Sequence, residues 1–376
     1  MKTVRDINID NKVVIVRFDY NVPIENGVIV DDTRIIKSLE TLYYLIERAK
    51  KVIILSHMGR IKEKNDLKKY SLKPVCDYLS KKINMDIAFC NYENTSEIIN
   101  NNKIIMMENT RLFDLDNKKE SNNDEELSKY FASFGEVFIN DAFGTAHRCN
   151  ASNVGISKYL ESANGFLIEK EVNNLNKLID NPMKPYIVIM GGSKVSDKIG
   201  IIDKFIEKVD KILIGGGMAY TFLKSKGYNI GNSICEDDYI EYCKGLLEKY
   251  SDKIVLPLDN YIEDRSIKSV EKMNNNDRGL DIGPKTVSLF EEEILKSKTI
   301  FFNGPLGLFE EGYDYGTKSI CNILNNNKEA FIVVGGGDTV TAVNKYSKDN
   351  NFIVSTGGGA ALEYLEGKEL VGVVNE

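Results

Sequence analysis

The stretch Gly191–Gly200, GGSKVSDKIG, follows the apolar run Tyr186–Met190 and leads into Val195–Val209, a segment with helical spacing of apolar residues. This order predicts a buried strand, a tight glycine turn and the start of a helix. Such a turn exposes backbone N–H groups at the positive end of a helix, where phosphates bind. Lys194 and Lys198 are four residues apart, and we expect them on one face of the first helical turn. Two cations at that end are unfavourable unless an anion binds between them, so the pattern favours a phosphate site over a solvated lysine pair.

The composition is typical of a globular protein and disfavours several other classes. The 376 residues are 42% hydrophobic and 28% charged with a net charge of −7, which suggests two domains with sizeable cores. There is no basic tail, so nucleic acid is not expected as a partner. The N-terminus lacks the apolar core of a signal peptide, no apolar run approaches the ~20 residues that span a bilayer, and the six cysteines lack CxxC spacing. We therefore expect a cytoplasmic protein with reduced thiols and no membrane partner.

Short apolar runs alternate with segments of helical period along the chain. The predicted strands are Val13–Arg17, Lys51–Ser56, Ile104–Met107, Glu136–Asn140, Tyr186–Met190, Lys211–Ile214, Ile254–Pro257, Thr299–Phe302, Phe331–Val334 and Phe352–Ser355. Strands separated by helices predict parallel βαβ units, and therefore an α/β fold with two doubly wound, Rossmann-like sheets. A helix predicted at Phe166–Ile179, broken by Pro182 and Pro185, suggests a domain at residues 1–165, an interdomain helix and hinge at 166–185, and a second domain at 186–361.

Charged and polar side chains follow the strands of the first half. In open parallel sheets, ligands bind beyond the carboxyl ends of the strands. The segments at those ends are Arg17–Asn21, Ser56–Arg60, Glu108–Arg111 and Asn140–Arg148, and they hold both histidines, His57 and His147, and the arginines Arg17, Arg60, Arg111 and Arg148. Arg34 opens the helix after the first of them and could join the set. Guanidinium groups that converge from separate loops suit a small polyanion. Salt bridges at the rim are an equally good interpretation of any one arginine, but a poor one of the whole set.

Glycine replaces these side chains in the second half. The segments are Gly191–Lys194, Gly215–Gly217, Asn303–Gly307, Gly335–Thr339 and Thr356–Gly359. Because glycine lets a ligand approach the backbone closely, several such loops together predict a nucleotide site. None matches GxxxxGK[ST] or GxGxxG, which disfavours a P-loop enzyme and an NAD-dependent dehydrogenase. Asp338 could face Mg²⁺ on nucleotide phosphates, could cap a helix that begins near Thr339, or both. A polyanion site and a nucleotide site in one chain indicate phosphoryl transfer.

The chain resembles the phosphoglycerate kinase family over essentially its whole length. The matching stretches are Arg17–Pro23, Asp31–Ile35, Ser56–Arg60, Asn140–Arg148, Gly191–Ile199, Leu213–Leu223, Gly279–Lys285, Asn303–Glu310, Gly335–Thr339 and Ser355–Lys368. The resemblance implies reversible, Mg²⁺-dependent phosphoryl transfer from 1,3-bisphosphoglycerate to ADP in glycolysis, giving 3-phosphoglycerate and ATP. It also implies a monomer whose domains close about a hinge. The chain departs from the family at Ser193, where Ala is usual, and at Phe302, where Trp is common.

The resemblance also assigns residues to roles. The first domain would bind 3-phosphoglycerate through Asp19, Asn21, Arg34, His57, Arg60, Arg111 and Arg148, and its position makes His147 a further candidate. The second domain would bind the nucleotide through Lys194, Lys198, Gly217, Gly279, Glu310, Gly335, Gly336, Gly337, Asp338 and Thr339, with Mg²⁺ bound through Asp338. Arg34, Lys194, Gly358 and Gly359 would serve catalysis. Residues from about 362 to 376 would pack back on the first domain.

The chemistry implied by the resemblance needs no general base. An acyl phosphate is already activated, and neither attacking oxygen has to lose a proton at neutral pH. We therefore expect the histidines to bind substrate, Arg34 and Lys194 to stabilise the transferring phosphoryl group, and Lys198 to hold nucleotide phosphates. The alternative is a catalytically weak nucleotide-binding protein of the same fold.

Overall fold

The computed structural model describes residues 1–347 and 352–375, which form two compact units. Unit 1 contains Met1–Asn173 and the C-terminal residues from Glu369 onward, and unit 2 contains Asn174–Lys368. The division falls inside the predicted interdomain segment 166–185. The C-terminal segment that belongs to unit 1 begins at Glu369, later than the predicted start near residue 362, and Glu376 lies outside the described residues.

Unit 1 is built around a six-stranded parallel sheet with the strand order β5-β6-β4-β1-β7-β8. Its strands are β1 (Val13–Arg17), β2 (Ile24–Glu25), β3 (Val28–Ile29), β4 (Lys51–Leu55), β5 (Ala88–Cys90), β6 (Ile104–Met107), β7 (Val137–Asn140) and β8 (Glu161–Asn164). Its helices are α1 (Thr33–Arg48), α2 (Asp66–Lys69), α3 (Lys73–Ile83), α4 (Thr95–Asn101), α5 (Glu125–Ala132) and the first part of α6 (Phe166–Ile179). Strands β2 and β3 form a separate two-stranded hairpin.

Both faces of this sheet are covered, which explains the continuous apolar runs of its strands. In β1, Val14 and Val16 pack in one core cluster with Leu42 and Leu45 of α1. The intervening Ile15 belongs to the cluster on the other face. Parallel pairing brings the carboxyl ends of β1, β4, β6 and β7 to one edge of the sheet.

Unit 2 has a second six-stranded parallel sheet, with the order β11-β10-β9-β15-β16-β17, and a three-stranded antiparallel sheet, β13-β12-β14. Its strands are β9 (Tyr186–Met190), β10 (Lys211–Ile214), β11 (Ile254–Val255), β12 (Asp259–Ile262), β13 (Ile267–Ser269), β14 (Gly279–Ile282), β15 (Thr299–Asn303), β16 (Phe331–Gly335) and β17 (Ile353–Val354). Its helices are α7 (Ile199–Phe205), α8 (Met218–Ser225), α9 (Ile240–Lys249), α10 (Pro284–Lys296), α11 (Tyr315–Asn326), α12 (Gly337–Tyr346) and α13 (Gly359–Leu365). The prediction of an α/β fold with two parallel sheets is confirmed, and the antiparallel sheet is an addition to it. Phe302 is fully buried in the core.

Two predicted helix starts are wrong. The helix after Gly191–Gly192 begins at Ile199, so Lys194 lies outside it and Lys198 is its N-cap residue. The reason lies in the preceding segment, where Ser196 donates from its backbone N–H and its hydroxyl to the Glu236 carboxylate at 3.0 and 2.6 Å. Helix α12 begins at Gly337 after the N-cap Gly336, so Asp338 lies in its first turn and does not cap it.

The returning C-terminal segment lies against the loop that follows β7. The Gly372 N–H donates to the Ala146 carbonyl at 2.7 Å, and the Asn140 side-chain amide donates to the Gly372 carbonyl at 2.6 Å. At the start of the same loop, Asp141 Oδ1 accepts from the N–H groups of Leu167 and Ile168 at 2.9 and 3.1 Å. The first turn of α6 and the C-terminal segment therefore both hold this loop in place.

Among the described residues, no helix is both long and apolar enough to cross a bilayer.

Candidate active site

Asp19, Asn21 and Arg34 meet at the end of β1. Arg34 Nη1 forms an ion pair with Asp19 Oδ2 at 2.9 Å and donates to the Asn21 carbonyl at 3.1 Å. Asn21 Oδ1 accepts from the Gly59 N–H, in the loop after β4, at 2.9 Å. The Arg34 side chain is 33% exposed, while that of Asp19 is 8% exposed. A buried carboxylate thus orients a guanidinium that still has N–H donors for a ligand.

His57 lies beneath this group and is uncharged. It is 4% exposed, and Arg17 Nη2 lies 3.3 Å from its Nδ1. Burial lowers the pKa of His57 well below its usual value, and the positive charges of four arginines, Arg17, Arg111, Arg148 and Arg34, lower it further. Arg17 thus contacts the imidazole directly, and Arg34, Arg111 and Arg148 add positive potential there.

Arg111, His147 and Arg148 extend this cluster, and Arg60 follows Gly59, whose carbonyl accepts from Arg111. Arg111 is half-buried and donates to the Gly59 carbonyl, and burial together with Arg148 and Arg17 lowers its pKa. Arg148 is exposed and donates from Nε to His147 Nε2 at 3.1 Å. Arg60 is also exposed. An anion that binds between these cations relieves their mutual repulsion, so this surface suits a small polyanion.

Sequence analysis did not single out two residues that support this cluster, Asn109 and Glu120. Asn109 accepts from the N–H groups of Met58 and Arg111 at 3.1 and 3.0 Å, and so joins the loops after β4 and β6. Glu120 is 1% exposed and is the largest source of negative potential at the buried guanidinium of Arg17. Its position in a polar stretch gave no signal of burial.

In unit 2, the glycine loops interlock through their backbones. The Gly191 N–H donates to the Asn303 carbonyl at 2.9 Å, the Gly192 N–H to the Pro305 carbonyl at 2.8 Å, and the Gly216 N–H to the Leu306 carbonyl at 3.1 Å. These N–H groups therefore serve the fold, and the expectation that they point at a ligand is wrong for them. A Cβ on Gly191 would lie 2.2 Å from the Pro305 oxygen, so close backbone packing explains this glycine.

Three of the glycine triplets each supply the N-cap residue of the next helix. Gly217 precedes α8, Gly336 precedes α12 and Gly358 precedes α13. A Cβ on Gly337 or on Gly358 would meet no atom within 4 Å, so the backbone is open there. Gly359 is the first residue of α13. Thr339 is buried, and its hydroxyl accepts from the Gly304 N–H at 2.6 Å. Gly335 is buried at the end of β16.

Lys198 is held by Asn303, which sequence reasoning did not single out. Lys198 Nζ donates to Asn303 Oδ1 at 2.6 Å, and Asn303 Nδ2 donates to the Gly335 carbonyl at 2.8 Å. Burial lowers the pKa of Lys198, which Asp197, Asp338 and Glu366 partly offset. Lys194 is exposed. The partly buried Lys198 and the exposed Lys194 thus both follow the end of β9.

A cleft of about 260 Å³ opens beside these loops. Four predicted nucleotide residues line it, namely Gly217, Gly279, Glu310 and Asp338, together with Ser193, Tyr220, Ile234, Arg278 and Leu308. Among the described residues, the other predicted nucleotide-binding ones lie outside its walls. A Cβ on Gly279 would lie 1.9 Å from the Tyr220 hydroxyl oxygen, so only glycine fits there. Largely apolar walls with a few polar side chains suit a planar base.

The wall that carries Glu310 is fixed by Asp281. This carboxylate is 2% exposed and accepts from the N–H groups of Ile282 and Gly316 at 2.8 and 2.9 Å. Burial raises its pKa to about 7. A Cβ on Gly307 would lie 2.3 Å from the Asp281 carboxylate and one on Gly316 would lie 2.5 Å from it, so both glycines pack directly against this side chain.

The residues fit a metal ion that arrives with a nucleotide. Among residues 1–347 and 352–375, no cluster of three or more His, Cys, Asp or Glu side chains could hold a metal ion. Asp338 is exposed at the mouth of the cleft. One carboxylate beside a phosphate site is the donor set by which proteins commonly bind Mg²⁺, with phosphate oxygens and water as the other ligands.

Comparison with known proteins agrees with this geometry. The family model described as phosphoglycerate kinase matches residues 4–368. The phosphoglycerate kinase of Staphylococcus aureus (strain bovine RF122 / ET3-1) is 46% identical over 387 aligned positions, which cover 99% of this chain and 98% of that protein. Two phosphoglycerate kinase structures superpose on 99% of the chain and 97% of their own, that from Coxiella burnetii with a TM-score of 0.86 and 36% identity and that from Pyrococcus horikoshii OT3 with a TM-score of 0.84 and 28% identity. With a family match and a relative of this similarity over almost every residue, the chain belongs to the phosphoglycerate kinase family.

Proposed function

We propose that this protein is a phosphoglycerate kinase that transfers a phosphoryl group reversibly from 1,3-bisphosphoglycerate to ADP, giving 3-phosphoglycerate and ATP. The observation that carries the proposal is the arginine cluster around His57 in unit 1 of a chain whose unit 2 offers a cleft at glycine-capped helix N-termini. The first suits a phosphate and a carboxylate, and the second suits a nucleotide. We further propose that the protein acts as a monomer in the cytoplasm.

Unit 1 supplies orientation and charge for the phosphoglycerate. Arg148, Arg111 and Arg60 bind its phosphate, while Asp19, Asn21 and His57 bind the polar groups of its carbon chain. Arg34, held by Asp19 at 2.9 Å, directs its remaining N–H groups to the acyl phosphate. None of these groups has to remove a proton, because the attacking oxygen is already anionic.

Unit 2 binds the nucleotide. The base occupies the cleft between Tyr220, Gly279 and Leu308, and Glu310 in its wall accepts a hydrogen bond from a ribose hydroxyl. Lys198 and Lys194 hold the phosphates, with N–H groups at the start of α12 adding to the field there. Asp338 would hold Mg²⁺, which would supply positive charge to the phosphates. Because donor and acceptor oxygens must be aligned in contact, the two domains would have to close about the segment 166–185.

The test is 3-phosphoglycerate-dependent formation of ADP from Mg-ATP. We expect activity that needs both substrates and that falls at least tenfold in Lys194→Ala, because an exposed cation at the phosphates is lost. Lys244→Ala removes an exposed lysine from α9 and serves as the matched control, with activity unchanged. A wild-type protein that binds both ligands without turnover would be a nucleotide-binding protein of the same fold, and the proposal would be wrong.

Arg148→Ala is expected to raise KM for 3-phosphoglycerate by about tenfold with little change in kcat, because Arg148 is an exposed binding group at the rim of the cluster. Steady-state kinetics at saturating Mg-ATP measure both constants. If kcat alone fell, Arg148 would act on the transition state instead.

A further inference from the structure

A buried chain of side chains leads from Glu120 to His57. Glu120 accepts from the Ser152 hydroxyl and, at 3.0 Å, from the Ser152 N–H. Arg17 Nε donates to Ser152 Oγ at 3.0 Å, and Arg17 Nη2 contacts His57 Nδ1 at 3.3 Å. Glu120, Ser152, Arg17 and His57 are all at most 4% exposed. They come from four separate segments of unit 1, so only the folded unit assembles the chain.

The contact with Arg17 fixes where the His57 proton lies. A guanidinium can only donate hydrogen bonds, so His57 Nδ1 must accept from it with its lone pair. The imidazole is neutral because burial and four arginines lower its pKa. Its single N–H proton is therefore on Nε2, and His57 presents a donor at that atom.

Glu120 is the group that keeps Arg17 in this position. A guanidinium that is 1% exposed needs a nearby negative charge, and Glu120 supplies the largest such contribution, ahead of Asp19. Ser152 adds direction, because its hydroxyl accepts from Arg17 and donates to Glu120. A third bond, from the Thr110 hydroxyl at 3.1 Å, holds the carboxylate itself.

We propose that Glu120 is a positioning residue that acts through Ser152 and Arg17 to hold His57 as the Nε2–H tautomer, so that His57 serves the substrate as a neutral hydrogen-bond donor. The tautomer follows from unit 1 alone. The identity of the acceptor, a hydroxyl or carboxylate oxygen of phosphoglycerate, rests on the proposed function.

A competing partner makes the inference testable. Asp19 Oδ1 lies 3.9 Å from His57 Nδ1. A carboxylate can only accept, so it favours a proton on Nδ1. If Arg17 no longer donates to Nδ1, we expect His57 to adopt the Nδ1–H tautomer and to pair with Asp19. His57 would then have no hydrogen-bond donor at Nε2.

Two-bond ¹H–¹⁵N correlation spectra of the full-length chain distinguish the tautomers, and the chain has two histidines, so His147→Gln assigns the signals. For the wild type we expect one Nε2–H pattern for His57 that does not change through the pH range around 6.5 in which a free imidazole titrates. In Glu120→Gln and in the milder Ser152→Ala, we expect Nδ1–H signal to grow and KM for 3-phosphoglycerate to rise about tenfold, with the nucleotide KM unchanged.

Ser38→Ala is the matched control, because Ser38 is also a buried serine of unit 1 but bonds Tyr20 at 2.9 Å instead. It should leave the His57 signals as in the wild type. A protonated or Nδ1–H His57 in the wild type, an unchanged tautomer in Ser152→Ala and Glu120→Gln, or an equal change in Ser38→Ala would each overturn the proposal. Because the spectra need no substrate, an Nε2–H His57 in a protein without turnover would overturn the proposed function and still support the positioning role.

Discussion

Replacing Arg34 by alanine is expected to lower kcat by on the order of 10³, equivalent to about 4 kcal/mol of transition-state stabilisation. The guanidinium is one-third exposed while Nη1 is held by Asp19 and Asn21, so it is oriented before substrate binds and loses little freedom in the transition state. Arg34→Lys keeps the charge without the planar fork, and we expect an intermediate loss. Steady-state kinetics in the ATP-forming direction measure kcat, and thermal melting checks that Asp19, left without its partner, does not unfold unit 1.

Arg48→Ala is the control for this prediction. Arg48 ends the same helix, α1, and pairs on the surface with Asp10 at 3.5 Å. Exposed pairs of this kind contribute little, so kcat and the melting temperature should remain near the wild-type values. A fall in kcat of less than about tenfold for Arg34→Ala would remove Arg34 from the transition state.

Gly191→Ala is expected to lower the free energy of unfolding of unit 2 by about 3 kcal/mol. The new Cβ would lie 2.2 Å from the Pro305 oxygen and 2.5 Å from the Gly304 oxygen, both of them backbone atoms that cannot rotate away. The loops after β9 and β15 would have to separate, which breaks the bonds from the Gly191 and Gly192 N–H groups. Urea unfolding followed by circular dichroism gives the stability, and we expect the nucleotide KM to rise as well.

Gly245→Ala is the opposite case. Gly245 lies within α9, and a Cβ there would meet no atom within 4 Å. Alanine is a better helix former than glycine, so this variant should gain about 1 kcal/mol. If both variants lost similar stability, close backbone packing at Gly191 would not be the reason for its glycine.

Burial on both faces made the central strands predictable. The bounds of β1, β6, β9 and β10 agree with the predicted ones, because each is a continuous apolar run. The segment of β8, Glu161–Asn164, has no such run. It pairs with β7, and Asn164 donates to the Lys2 and Val374 carbonyls at 2.7 Å, so contacts between distant segments hold it in place.

In the candidate site too, features that depend on local sequence could be predicted, whereas those that depend on distant contacts could not. Strand ends are local features, and parallel pairing brings them to one edge, so Arg17, His57, Arg111 and Arg148 could be found from their position after apolar runs. Glu120 lies in a polar stretch and is buried only because Ser152 and Thr110 reach it from elsewhere. The start of α7 was misplaced for a similar reason, since Glu236 binds Ser196 from 40 residues away along the chain.

The C-terminal segment has a consequence for the order of folding during synthesis. Every residue of unit 2 leaves the ribosome before Glu369, whereas the bonds from Gly372 to Ala146 and from Asn140 to Gly372 can form only after unit 2 has been made. Unit 2, which is contiguous in the chain, is therefore free to fold before unit 1 is complete. The loop that carries His147 and Arg148 gains the support of Gly372 only after unit 2 has been made, so this loop should be among the last parts of unit 1 to become ordered in a nascent chain.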